Sequence, residues 1–99
     1  MKIDIDNLQD KTLVTISGKI DTTLATEMHQ IFEEKIADGS KVEIDAKKLE
    51  YITSAALRSF LILYKRLHAS GGSLSFTNVQ PTVMQVFQLT GFDTFITIE

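Results

Sequence analysis

Between Val42 and Arg58 the chain changes its apolar period once, and that change sets what the rest can fold into. Val42 and Ile44 alternate with Glu43 and Asp45, the period of two that belongs to a strand. The spacing predicts a strand over Val42–Ala46, a charged turn at Lys47-Lys48 and an apolar approach through Leu49, Tyr51 and Ile52. From Thr53-Ser54 onward the period is helical, with Leu57, Leu61, Tyr64 and Leu67–His68 on one stripe. A hydroxyl residue at the switch from strand to helix is either a helix cap or a functional group held at a helix N-terminus. For Ser54 both readings stand at this point.

The flanking segments repeat the same change of period. Lys2–Asp6 and Thr12–Ser17 read as two short strands joined by a turn, hence an antiparallel hairpin that Gly18 ends or bends. Thr22 and Thr23 open a helix to about Ala37, either one able to cap it, with Asp21 adding favourable negative charge. Leu24, Met28, Ile31, Phe32 and Ile36 form its apolar face, and Asp38-Gly39-Ser40 stops it. The helix after Ser54 is apolar on more than one side, because Phe60, Ile62 and Leu63 add to its stripe. It either packs deeply or offers a patch to a partner, a second copy of the chain included. Ser70-Gly71-Gly72 reads as its stop. A strand at Ser73–Thr77, a short helix from Pro81 stopped by Gly91, and a strand at Phe95–Ile98 complete the chain.

The order is β-β-α-β-α-β-α-β. Helices between successive strands supply the crossovers that parallel strands need, so the sheet should be largely parallel after the hairpin. Right-handed crossovers put neighbouring helices on one side and leave the other face partly open. Ninety-nine residues are expected to form one domain.

Composition removes several function classes. The net charge is −3 with no Lys/Arg cluster, so the electrostatic footprint of a nucleic-acid binder is missing. There is no cysteine, which excludes disulfides, thiol catalysis and thiolate-bound zinc. No apolar run reaches membrane-spanning length, and acidic residues stand where a signal peptide needs an apolar core. The expected location is the cytoplasm. His29 and His68 have no spacing that would place them on one metal. Asp21 and Asp45 each sit at a predicted strand end, where parallel strands could bring them together as an acid–base pair or leave them as turn and cap residues. Ser54 has no histidine base and no G-x-S-x-G elbow, so no enzyme is expected.

Three pieces, in order, resemble the STAS family, the bacterial anti-sigma factor antagonists. Gly18–Asp21, G-K-I-D, is similar to the family's G-x-[LIV]-D element. Val42–Arg58 is similar to its strand and phosphorylation segment. The tail from Gly71 is similar to its closing glycine pair, strand and P-x-[VI] helix. The resemblance implies an α/β fold: a mixed sheet with helices packed mainly on one face. It implies a switch in which the unphosphorylated domain binds an anti-sigma factor that is also a serine kinase, freeing the sigma factor. Phosphorylation then ends the binding and a phosphatase resets it. By motif position the acceptor is Ser54, with Thr53 as the alternative. The partner-binding positions are Asp21, Thr22, Asp45, Thr53, Ala55, Ala56 and Arg58. No cofactor and no metal are expected, since ATP belongs to the kinase. Two positions depart from the family pattern: Thr53 replaces an aspartate before the acceptor, and Ala56 replaces a glycine after it. A STAS module that binds without being phosphorylated, in a transport ATPase or a stress-signalling assembly, is the other reading. Ser54 would then serve as a cap.

Overall fold

The burial pattern of the central strand explains the architecture. In the computed structural model, which describes residues 2–99, this strand runs from Lys41 to Ile52 without a break. Its buried positions are Val42, Ile44, Ala46, Leu49 and Ile52, a spacing of two, two, three and three. Two β-bulges cause the change. The Thr15↔Asp45 pair is followed by Ser17↔Lys48, and Gly18↔Leu49 by Lys19↔Tyr51, so the central strand gains one residue each time. The predicted turn at Lys47-Lys48 is therefore strand, and both lysines are exposed because the bulge breaks alternation.

The elements in chain order are β1 (Lys2–Asn7), β2 (Thr12–Ile20), α1 (Thr22–Lys35), β3 (Lys41–Ile52), α2 (Ser54–Ala69), β4 (Ser73–Thr77), α3 (Pro81–Thr90), a 3-10 turn (Phe92–Thr94) and β5 (Thr97–Ile98). The strands lie side by side as β1-β2-β3-β4-β5, with β1 antiparallel to β2 and every later pair parallel. Gly18 bends β2 instead of ending it: at φ +90° it sits in the bulged segment, and Lys19 and Ile20 continue the strand. The last strand is shorter than Phe95–Ile98 because Phe92–Thr94 winds into the 3-10 turn.

All three helices cover one face. Phe76 of β4 shows this directly, since its ring meets Phe60 of α2 at 5.1 Å, Phe87 of α3 at 5.2 Å and Phe92 at 5.9 Å. Phe32 of α1 joins through Phe60, at 6.3 Å. These edge-to-face and tilted contacts tie the helix layer to the sheet. The opposite face presents Thr15, Ser17, Glu43, Asp45, Ser75 and Thr77, all partly exposed.

The buried face of α2 is Ala56, Ser59, Phe60, Leu63 and Leu67. Of the stripe expected from the sequence, Leu57, Leu61 and Tyr64 are a half-buried flank, Leu67 is in the core and His68 is exposed; Phe60 and Leu63 join Leu67 in the core. In α1 the innermost positions are Ala25, Met28 and Phe32, with Leu24 and Ile31 at the margin, and the C-cap residue Ile36 is buried beside them. Small residues make this packing close. The Ser59 hydroxyl donates across to the Ala25 carbonyl at 3.2 Å.

The end of α1 is held by a residue the periodicity did not single out. Arg66 of α2 donates to the carbonyls of Ile36 (2.8 Å) and Phe32 (3.0 Å) and to the Asp38 carboxylate (2.8 Å). It thereby satisfies the Ile36 carbonyl, left open at the helix C-terminus, and adds a second donor to that of Phe32, which the Ile36 amide meets at 3.1 Å. Gly71 takes the left-handed conformation after α2, at φ +83°. Gly72 has a different task, because a Cβ there would collide with the backbone of Ser40 and Gly39.

Candidate functional site

The hydrogen bonds decide what Ser54 is. The residue that caps α2 is Thr53, whose Oγ1 accepts from the Ala56 amide at 3.4 Å. Ser54 is the first helical residue, exposed, with a hydroxyl that takes no part in the cap. For α1 the cap is Asp21, accepting from the Leu24 amide at 2.8 Å, and neither Thr22 nor Thr23 serves. The backbone bond from Thr53 N to Ile20 O (3.2 Å) sets the two helix starts side by side at the ends of β2 and β3. The positive ends of two helix dipoles therefore open on the same edge of the sheet.

Ser54 and Arg58 form a ridge between two grooves. The first, about 410 Å³, lies between α1 and α2 and is lined by Thr22, Thr26, His29, Ser54, Ala55 and Arg58, among others. The second, about 290 Å³, lies between α2 and the 3-10 turn, lined by Ser54, Leu57, Arg58, Leu61, Thr90, Phe92 and Phe95. Arg58 is one turn from Ser54 and has no acidic partner among the described residues. A double negative charge on Ser54 would meet open amides and a free guanidinium.

Asp21, Thr22, Thr53, Ala55 and Arg58 thus gather around Ser54. Two positions do not. Ala56 is fully buried beneath α2, so its side chain offers nothing to a partner. Asp45 is mid-strand, paired with Thr15 and Thr77, and not at a strand end. Ile52, not Asp45, aligns with Ile20 beside Asp21. At a strand's rise, the stretch from Asp45 to Ile52 separates the two carboxylates by roughly 20 Å. No acid–base pair forms from them. Asp45 instead accepts from the Lys47 amide (3.0 Å) and the Asn78 side chain (3.2 Å), fixing the first bulge and the loop after β4.

The two histidines have different surroundings. His29 lines the α1–α2 groove, and His68 stacks on Tyr64 at 5.6 Å in the last turn of α2. Among the described residues no group of three or more His, Asp or Glu is placed to hold a metal ion, and no helix is long and apolar enough to cross a membrane. Sequence reasoning missed the groove wall of Phe92 and Phe95 and the bridging Ser59 hydroxyl. Ser59 had a signal: small residues at Ala25, Ala55, Ala56 and Ser59 mark a close helix crossing.

Known proteins share this fold. The chain is 28% identical over 93 residues to a putative anti-sigma factor antagonist, BtrV, of Bordetella bronchiseptica, covering 93% of this chain and 80% of that protein. It is 26% identical over 98 residues to the anti-sigma-B factor antagonist of Bacillus subtilis, covering 99% and 90%. The crystal structure of an anti-sigma factor antagonist from Mycobacterium paratuberculosis superposes with a TM-score of 0.86 at 22% identity, over 98% of this chain and 83% of that one. The family model described as "Mlab, STAS domain" matches residues 3–98. With that match spanning the sheet, the helix layer and the Ser54 edge, the chain belongs to the STAS domain family.

Proposed function

We propose that this protein is an anti-sigma factor antagonist acting as a single STAS domain, switched by phosphorylation of Ser54. The unphosphorylated form binds an anti-sigma factor that is also a serine kinase, and so frees the sigma factor. The kinase then phosphorylates Ser54 and the complex parts; a phosphatase restores the binding form. The relatives named as antagonists support the partner class. One observation carries the choice of residue: Thr53 caps α2, so the Ser54 hydroxyl is exposed and free to be modified without loss of the cap. The same bond ties up Thr53, the alternative acceptor. A phosphate on Ser54 leaves the core alone and changes the charge and bulk of the docking edge formed by Asp21, Thr22, Thr53, Ala55 and Arg58. The domain itself has no catalytic role in this scheme and needs no cofactor; it works in the cytoplasm.

A second reading is favoured by the family model, whose description names Mlab and not a sigma-factor pathway. In it the same edge binds a partner permanently, as an accessory subunit of a transport ATPase or in a stress-signalling scaffold. Ser54→Asp separates the two in a quantitative pull-down from the host. The switch predicts loss of the partner with Ser54→Asp and its retention with Ser54→Ala. A partner held equally by both variants contradicts the switch and supports the permanent module.

A further inference from the structure

The groove on the far side of Ser54 has a chemistry of its own. Leu57, Leu61 and Tyr64 run along the flank of α2, and Phe92 and Phe95 wall them in. Tyr64 meets Phe95 at 5.2 Å, and Phe95 is 45% exposed. Beside this apolar lane runs a second one, Arg58, Ile62 and Lys65, all exposed. Neither α2 nor α3 contains an acidic residue, and the one carboxylate on the groove's third element is the exposed Asp93 of the 3-10 turn, across from the basic groups of α2. The basic groups of α2 divide by task. Arg66 is engaged in closing α1, whereas Arg58 and Lys65 have no ion-pair partner among the described residues.

We propose that this groove docks an amphipathic acidic helix of the partner protein. Its apolar side chains, spaced i, i+3/i+4 and i+7, lie along Leu57–Leu61–Tyr64 against Phe95, and its carboxylates meet Arg58 and Lys65. The span from Leu57 to Tyr64 is about 10 Å at a helix's rise, which suits two turns of such a ligand. Charge complementarity selects the occupant: an acidic ridge is attracted, and a basic one meets like charge. The groove is continuous with the docking edge, because Ser54 and Arg58 belong to both. This assignment rests on the reading of the Ser54 edge as the docking surface, and it supplies the release step. A phosphate on Ser54 stands one turn from Arg58 and takes that guanidinium from the partner's carboxylate.

The test uses the full unphosphorylated chain, isotopically labelled, titrated in an NMR experiment with two synthetic helical peptides. Both carry leucines at the stated spacing; one is flanked by glutamates and the other by lysines. The glutamate peptide is expected to shift the signals of Leu57, Leu61 and Phe95 and to bind roughly tenfold more tightly than the lysine peptide. Arg58→Glu with Lys65→Glu, both at exposed positions, should reverse that preference. Equal affinities, absence of binding, or shifts confined to the open sheet face would overturn the proposal. So would concentration-dependent dimerisation producing the same shifts without peptide, since the occupant would then be a second copy. A peptide preference that persists although no host kinase modifies Ser54 supports the groove and removes the switch. Phosphorylation of Ser54 in a protein with no peptide preference does the reverse.

Discussion

At the scale of residues, adjacent hydroxyls divide two tasks. Thr53 holds the start of α2 and Ser54 faces solvent, so the same truncation should have unequal effects. Thr53→Ala is expected to destabilise the fold by about 1 kcal/mol, the ordinary cost of a lost cap. Ser54→Ala should change stability by less than about 0.5 kcal/mol. Urea denaturation of both variants checks this, and equal losses would mean that Ser54 shares the cap. Arg66 offers a second case. Replacing it with methionine keeps most of the aliphatic stem but leaves the Ile36 carbonyl without its donor and the Phe32 carbonyl with the Ile36 amide alone. The expected loss is about 2–3 kcal/mol in the same assay, with faster amide exchange around the end of α1. That residue was not legible in the sequence, because its partners lie on another helix and only packing brings them within reach. That a helix starts at Thr53-Ser54 was legible from the change of period, but which of the two caps it was not. Thr53 and Ser54 are equally good caps on paper, and the choice depends on where β3 ends.

At the scale of elements, β3 is where sequence periodicity and structure part. A strict alternation reads Lys47-Lys48 as the end of the strand, because two exposed residues in a row break it. The strand continues since each bulge inserts a residue and turns the period from two to three, keeping Leu49 and Ile52 in the core. Gln80 and Thr82 then bond to the carbonyls of Lys47 (2.7 Å) and Glu50 (3.0 Å), closing the other edge of the bulged half. These bonds join residues more than thirty positions apart, which no local pattern reveals. Gly18 lies at the matching point of β2 with φ +90°, so an L side chain there is strained. Gly18→Ala should destabilise by about 1–2 kcal/mol and broaden the amide signals of Lys47–Tyr51. A variant as stable as the parent would show that the bulge tolerates a side chain. The strand–helix order and the antiparallel opening hairpin were legible, as they rest on local period and turn spacing alone.

At the scale of the molecule, the sheet and its single helix layer place two helix starts and Arg58, which has no ion-pair partner among the described residues, on one edge, with a groove on either side. Such an edge can change its charge while the core stays as it is, because the Ser54 side chain is exposed and takes no part in the cap. Ser54→Asp should therefore unfold within about 0.5 kcal/mol of the parent while losing its partner. A large fall in stability would locate the effect in the fold and not in docking. The most direct measurement is intact-mass spectrometry with peptide mapping after incubation with ATP and the candidate serine kinases of the host. A single added phosphate on Ser54, absent in Ser54→Ala, is the predicted result. A protein that keeps its partner and takes up no phosphate from any of those kinases would contradict the switch.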